Sequence, residues 1–306
     1  MNLQRLEILE AVIRCEFNVS RAAAELRQSQ PGVSKQLQVL EEELGFPLFK
    51  RSGRRLTGLT DPGIEAHRIA QRMLRDRDAL REITSEFQLT EQGTLTIATT
   101  HTQARYALPQ AIKTFMGQFP RVQLALHQGS PSQVCIEAAS GEADLAIATE
   151  AVGEDQGLVV LPCYAWNRSV IAPIGHPILD LDEITLADVA AYPIVTYAFA
   201  FAGRSQINAA FTSKGLRPSV VLSAIDADII KTYVALGLGI GVVASMAVDP
   251  NVDRDLGVRD ASHLFPPSTT SIGIRPGAYL KGYVYSFIEI FAPHLTQEVV
   301  ERALFG

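Results

Sequence analysis

Apolar side chains recur at helical spacing through the first ninety residues. Leu3, Leu6, Leu9 and Val12/Ile13 fall at three- and four-residue steps, which predicts an amphipathic helix over 2–15. Ser20 stands as an N-cap, with Val19 ahead of it as a staple, and predicts a short second helix over 21–26. Ala22, Ala23 and Ala24 keep that helix slim enough for another to cross it closely. Ser29-Gln30-Pro31 is the next start signal, a polar cap followed by proline in the first turn. Val33, Leu37, Leu40 and Leu44 then form a ladder on one face until Gly45 ends the helix. Gln30, Ser34, Lys35 and Gln38 face away from the ladder, with Gln36 beside them. Two helices joined by a tight turn between Ser20 and Gly45 read as a helix-turn-helix. Phe46 to Thr57, folded about Ser52-Gly53, predicts a basic hairpin, or wing.

A long helix should open at Asp61-Pro62-Gly63 and run to about Gln88. Its stripe of Ala66, Ile69, Met73, Leu80, Ile83 and Phe87, interrupted at Asp76, calls for a partner helix, most simply the same helix of another subunit. Packing onto the protein's own body is the alternative. From Gly93 the pattern changes to alternating strands and helices. Strands are expected over 94–99, 122–127 and 143–148, with helices over 105–117 and 132–140. After Leu161-Pro162 the pattern repeats, with strands over 168–171, 194–197, 220–223 and 240–244 and helices over 204–214 and from 227. The segments 271–274 and 279–291 can return to the first lobe. Such alternation implies parallel sheets with right-handed crossovers, and two α/β lobes place a ligand cleft between them. The expected division is a DNA-binding winged helix-turn-helix over 1–61, a linker helix over 62–90 and an effector domain over 91–306. Its first lobe takes 91–161 and 268–306, and its second 162–267.

Charge supports that division. The net charge of −6 splits into +1 over residues 1–90, with 14 Lys/Arg and 13 Asp/Glu, and −7 over the remainder. Lys50, Arg51, Arg54 and Arg55 fall within six residues, a phosphate footprint on a near-neutral domain. At 47% apolar and 20% charged residues the chain reads as a globular protein. No apolar run approaches the roughly 18 residues a membrane helix needs, and the first residues carry charges where a signal peptide needs an apolar stretch. A cytoplasmic location is expected. Cys15, Cys135 and Cys163 fit neither a disulfide framework nor a zinc pattern, and read as reduced thiols, two of them in cores. The six histidines show no metal spacing, and no nucleophile elbow marks a catalytic set. Gly237-Leu238-Gly239-Ile240-Gly241 leads into a strand rather than opening a helix, unlike a dinucleotide fingerprint. No catalytic residue, metal or cofactor is therefore expected.

Ser20-Arg-Ala-Ala, Leu26, Ser29-Gln-Pro, Val33-Ser34, Leu40-Glu41, Leu44-Gly45, Leu48-Phe49, Arg51 and Leu59-Thr60 with Gly63 together resemble the N-terminal domain of LysR-type transcriptional regulators. The remainder resembles the narrower CysB/Cbl group of sulfur-assimilation regulators. The matching stretches include Thr96 to Tyr106, Ala146 to Thr149, Pro162-Cys-Tyr, Trp166-Asn-Arg, Asp226-Ala-Asp and Ala244 to Pro250. The resemblance spans essentially the whole chain. It implies a winged helix-turn-helix, a dimerising linker helix and an effector domain of the periplasmic-binding-protein type. It further implies a homotetramer built of homodimers, acting with RNA polymerase and responding to sulfate, thiosulfate, N-acetylserine or O-acetylserine.

Two sets of residues carry the expected chemistry. Ser29, Gln30, Pro31, Ser34, Lys35 and Gln36 open the second helix of the motif, the part that reaches base edges of double-stranded DNA. Arg51, Arg54 and Arg55 suit phosphates or the minor groove. A pair of such units on a two-fold axis calls for a DNA site with dyad symmetry. For the ligand, Thr100, His101, Thr102 and Gln103 lie between a strand and a helix, where backbone amides and hydroxyls favour an oxyanion. The resemblance carries a sulfate-type site onto Thr100, Thr102, Gln103 and Thr149, with Trp166 as a wall. It also marks a departure: Ala202 stands in Tyr197-Ala-Phe-Ala-Phe-Ala-Gly-Arg-Ser205 where the CysB pattern has threonine. The alternatives are a LysR-type regulator of another pathway or a non-regulatory binding protein.

Overall fold

The computed structural model describes residues 2–53, 55–86, 92–149, 157–199 and 204–306, and for 78, 79 and 81–86 the backbone alone. The chain forms two compact units, Met1–Thr90 and Glu91–Gly306.

In the first unit, α1 (Leu3–Arg14), α2 (Val19–Glu25) and α3 (Gln30–Leu44) precede a hairpin of β1 (Phe49–Ser52) and β2 (Arg55–Leu59), and α4 (Asp61–Glu86) follows. The ladder residues Val33, Leu37 and Leu40 are buried against Leu6, Leu9, Val12, Ala22 and Leu48. Ser29 Oγ accepts from the Gly32 amide at 3.2 Å and caps α3, while Gly45, at φ +81°, closes it in a left-handed turn. The cap of α2 is Asn18, not Ser20. Its Oδ1 accepts from the amides of Ser20 and Arg21 at 3.1 and 3.0 Å, and the helix begins at Val19. Glu16 and Phe17 take positive φ, so the chain reverses earlier than the position of Ser20 suggested. Thr60 caps α4 by accepting from the Gly63 amide at 3.0 Å. A Cβ on Gly63 would lie 2.1 Å from the Leu48 carbonyl oxygen, so only glycine lets α4 start beside the root of the wing.

The apolar stripe of α4 divides rather than forming one seam. Ala70 and Leu74 are buried, with Ala66 and Met73 packed beside them against the unit's own core. The pairs His67–Glu10 at 2.6 Å and Arg77–Glu7 tie the same face to α1. Ile69 and Leu80 remain 48% and 68% exposed. The expected stripe thus loses Ala66 and Met73 to the protein's own body, the side chain of Ile83 and residue Phe87 lying outside the described residues.

The second unit holds two five-stranded sheets. The first sheet has the order β4 (Val122–Gln128), β3 (Gly93–Thr99), β5 (Leu145–Thr149), β12 (Ser268–Ile274), β6 (Val159–Trp166). The second is ordered β11 (Leu256–Asp260), β7 (Arg168–Pro173), β10 (Ile240–Ala244), β8 (Ile194–Tyr197), β9 (Val220–Ala224). Helices α5 (Leu108–Gln118), α6 (Pro131–Ser140), α10 (Gly282–Phe291) and α11 (Gln297–Phe305) accompany the first sheet; α7 (Leu186–Ala190), α8 (Arg204–Ser213) and α9 (Ala227–Ala235) accompany the second. Both sheets are mixed rather than parallel, because β12 runs antiparallel to β5 and β6, and β7 antiparallel to β10 and β11.

The first crossing between lobes falls at Asn167, later than the expected change at 161/162. Pro162 suggested a break, but β6 is an edge strand and continues through it to Trp166, with an irregular register opposite Thr270/Ser271. The glycine run at 237–241 serves packing. A Cβ on Gly239 would lie 2.2 Å from the Pro193 carbonyl oxygen, and one on Gly241 would meet the Ile171 side chain at 2.6 Å. No helix among the described residues is long and apolar enough to cross a membrane.

Candidate functional site

The start of α3 presents Ser29, Gln30, Pro31 and Lys35 to solvent. Gln30 Nε2 donates to Ser34 Oγ at 3.1 Å, so the two polar side chains are held together on one face. A groove beside them is lined by Ser20 and Arg21 of α2, Gln30 and Ser34 of α3, and Arg51 and Arg55 of the wing. Gln36 does not join this face; its Oε1 accepts from Arg5 Nε at 2.9 Å, on the side of α1. Arg54 lies outside the described residues. Arg51 is held by α3, with Nη2 2.7 Å from Glu41 Oε2. The other oxygen of Glu41 accepts the amides of Leu48 and Phe49 at 2.8 and 3.2 Å. One carboxylate thus fastens the root of the wing to α3. Arg21 and Glu41 belonged to the sequence pattern of the family but were given no part in the site. Arg21 stands three positions after the true cap Asn18, and Glu41 lies among three successive acids, Glu41 to Glu43, that sequence alone does not tell apart.

In the second unit, β3 ends at Thr99 and helix begins at His101, four residues before the expected start. Residues Gln103–Ala107 form a widened, π-type turn before α5. The wide turn carries Gln103 inward, where it is 1% exposed. A cleft is lined by Thr100, His101, Thr102, Gln103, Thr149 and Trp166, with Pro131 and Ile225. The six expected cleft residues in the described part therefore meet; Ala202 lies outside it. The enclosed space is only about 10 Å³, about one water.

The floor of the cleft is a closed polar network centred on Thr270, which is 0% exposed. Its Oγ1 accepts from Gln103 Nε2 at 3.0 Å and Trp166 Nε1 at 3.1 Å, and lies 3.2 Å from Thr149 Oγ1. Tyr164 OH donates to Gln103 Oε1, which fixes the amide's orientation. Burial pushes the Tyr164 phenol up to about 12, so it stays a neutral donor. A hydroxyl has two lone pairs and one proton. With both Thr270 lone pairs taken by Gln103 and Trp166, its proton is available to the neighbouring hydroxyls, among them Thr149 at 3.2 Å. Thr270 and Tyr164 were missed in the sequence; the hydroxyl-rich run Ser268-Thr-Thr-Ser271 was the available signal.

Across the cleft, Tyr106 OH donates to Asp228 Oδ1 at 2.7 Å, and Lys231 Nζ lies 3.3 Å from Asp228 and 3.1 Å from Asp253. Burial opposes ionisation of Asp228, but the Tyr106 bond and the Lys231 charge outweigh it and hold the carboxyl below its usual range. His101 Nε2 is 3.8 Å from Asp228 Oδ2. His101, Asp226 and Asp228 lie close enough to share a cation. However, Lys231 already serves Asp228, and Asp226 caps α9 through the Ile229 amide at 2.8 Å.

Residues 3–64 match the model of the bacterial regulatory helix-turn-helix protein, lysR family, and residues 89–296 that of the LysR substrate binding domain. The chain is 51% identical to the HTH-type transcriptional regulator SsuR of Burkholderia cenocepacia, covering 99% of each. It is 46% identical to CysB of the same organism, covering 100% of this chain and 98% of that one. The crystal structure of the cofactor-binding domain of the Cbl transcriptional regulator superposes with TM-score 0.68 at 43% identity, covering 70% of this chain and 93% of that one.

Proposed function

Because the chain belongs to the LysR family of DNA-binding transcriptional regulators, we propose that it controls genes of sulfur or cysteine metabolism by coupling a small oxyanion in the cleft to the grip of α3 on DNA. The observation that carries the effector class is the convergence of Thr100, Thr102, Thr149, Gln103 and Trp166, neutral donors beside His101, with no lysine or arginine among the described residues of the lining. Such donors suit an anion that stays fully ionised at neutral pH. The small enclosed volume favours sulfate or thiosulfate over N-acetylserine or O-acetylserine, since a tetrahedral ion needs the least displacement of the Gln103 amide. Calorimetry of the full chain with all four compounds tests this, and heat is expected with sulfate or thiosulfate. No heat with any of them on folded protein overturns the sulfur-effector reading.

The resemblance adds a quantitative expectation at Ala202. A hydrogen bond to a charged group contributes about 1.5–3 kcal/mol, so Ala202→Thr should tighten sulfate binding by about tenfold or more. Unchanged affinity would place residue 202 away from the anion.

On DNA, Gln30, Ser34 and Lys35 read base edges, and Arg55 with Arg51 and Arg54 holds phosphates. Lys35→Ala should cost about 1–3 kcal/mol on a specific site and little elsewhere, whereas Arg55→Ala should weaken both and lower the salt slope by about one. Fluorescence anisotropy at several salt concentrations, on fragments found by genome-wide binding-site mapping, separates the two. Two such units on a two-fold axis imply a site with dyad symmetry, bound by a homodimer or homotetramer in concert with RNA polymerase.

A further inference from the structure

Trp166 and Arg168 flank Asn167, where the chain first passes from one sheet to the other. Arg168 is 1% exposed, and its guanidinium carbon lies 5.2 Å from the centre of the Trp166 ring. Its Nη1 donates to the Pro266 carbonyl at 2.9 Å and its Nη2 to Ser268 Oγ at 2.7 Å. Its own carbonyl accepts the Ala261 amide at 3.1 Å. Pro266 and Ser268 belong to the return passage, which runs from the end of β11 to the start of β12. One side chain therefore ties both passages together. Two residues after Ser268 comes Thr270, the hydroxyl that Trp166 Nε1 reaches.

Taking a guanidinium out of water costs several kcal/mol, which a neutral spacer at the same place would avoid. Its charge also extends beyond its bonds. Tyr197 is pushed up to about 12 by burial, and its hydroxyl accepts the Ala244 amide and bonds Thr102 in the cleft wall; the Arg168 charge pulls that value the other way.

We propose that Arg168 is a positioning and specificity-determining residue of the effector cleft. Its fork sets Trp166 and Thr270 in one geometry, and its charge behind the indole makes a pocket of neutral donors select anions over neutral molecules of the same shape. This rests on the oxyanion reading above. Lysine would keep the charge and lose the fork; glutamine would lose the charge.

Trp166 is the single tryptophan of the chain, so its fluorescence reports the cleft directly. The test titrates the full chain, Arg168→Lys and Arg168→Gln with sulfate, methanesulfonate and dimethyl sulfone, tetrahedral sulfur compounds of falling charge, with calorimetry in parallel. Wild-type affinity should fall by about tenfold or more with each charge removed. Arg168→Lys should keep that order, with sulfate within about tenfold of wild type, while Arg168→Gln should lose about 30-fold or more for sulfate and flatten the order. Arg168→Gln binding sulfate like wild type overturns this inference alone, as does Arg168→Lys losing as much as Arg168→Gln. If Arg168→Gln does not melt cooperatively, the wild-type series and Arg168→Lys decide, and equal affinity for all three compounds overturns the charge. A wild-type chain that responds to none of them removes the oxyanion reading and this inference with it.

Discussion

Glu41→Ala is expected to destabilise the first unit by about 3 kcal/mol and to lower DNA affinity at specific and nonspecific sites alike. The carboxylate accepts two amides, those of Leu48 and Phe49, and pairs with Arg51. Leu48 and Phe49 are themselves buried, so the alanine variant leaves their amides short of an acceptor where water enters poorly. Each such group costs about 1–3 kcal/mol, against a small loss for the half-exposed Arg51 pair. The consequence for function follows from geometry. The wing leaves α3 through those two residues, and Arg51 and Arg55 are placed against Gln30 and Ser34 only while its root is held. Glu41→Gln keeps one acceptor oxygen and should retain most of the stability while losing the Arg51 pair. Amide exchange at Leu48 and Phe49, the melting temperature and anisotropy on DNA read the three effects separately. An alanine variant that melts and binds like wild type would show that the wing is held by its apolar residues alone.

The core of the first unit was legible because a helix with one buried face writes its period into the sequence. Val33, Leu37, Leu40 and Leu44, closed by Ser29 and Gly45, marked α3 almost to the residue. The cap of α2 was misplaced because Asn18 and Ser20 are equally good caps in isolation. The left-handed residues Glu16 and Phe17, which carry no glycine to announce them, decide between the two. In α4 one apolar period serves two surfaces. Periodicity identifies that side chains are apolar but not which body they meet, so Ala66 and Met73 were grouped with Ile69 and Leu80.

Most strands of the second unit were legible, since those such as β8 and β10 are short buried runs with turn signals around them, but the edge strands β6 and β11 were not expected. The strand directions were not legible, because an antiparallel return such as β12 depends on contacts more than a hundred residues away. Thr100, Thr102, Gln103, Thr149 and Trp166 could be assembled through resemblance. The run Ser268-Thr-Thr-Ser271 shows hydroxyls but not their role, since the partners of Thr270 come from β5, β6 and the turn after β3. The widened turn at 103–107 was likewise hidden. It aims Gln103 inward by adding to the turn between β3 and α5, and no single residue signals such a bulge.

Thr270→Val carries the largest expected effect on the effector domain. Valine matches threonine in shape, so the change removes a hydroxyl with little change in volume. Trp166 Nε1 and Gln103 Nε2 then face a methyl group. Two buried donors left without that acceptor, at about 1–3 kcal/mol each, predict a loss of about 3 kcal/mol in the stability of residues 91–306. Binding should suffer more than stability. Gln103 keeps its bond from Tyr164 and the longer contact of its Nε2 with Thr149 at 3.5 Å, but loses the 3.0 Å bond to Thr270, and Thr149 loses its hydroxyl neighbour at 3.2 Å. Sulfate affinity by calorimetry should fall by about 30-fold or more, about 2 kcal/mol, with the Trp166 emission shifted in the unliganded protein. Thr270→Ser restores the hydroxyl and should recover most of both. The contrast between valine and serine matters because a packing role would rank them the other way: valine fills the site and serine leaves a methyl-sized gap. If valine binds sulfate as well as wild type and serine does not, Thr270 is a core residue and the network has no part in recognising the effector.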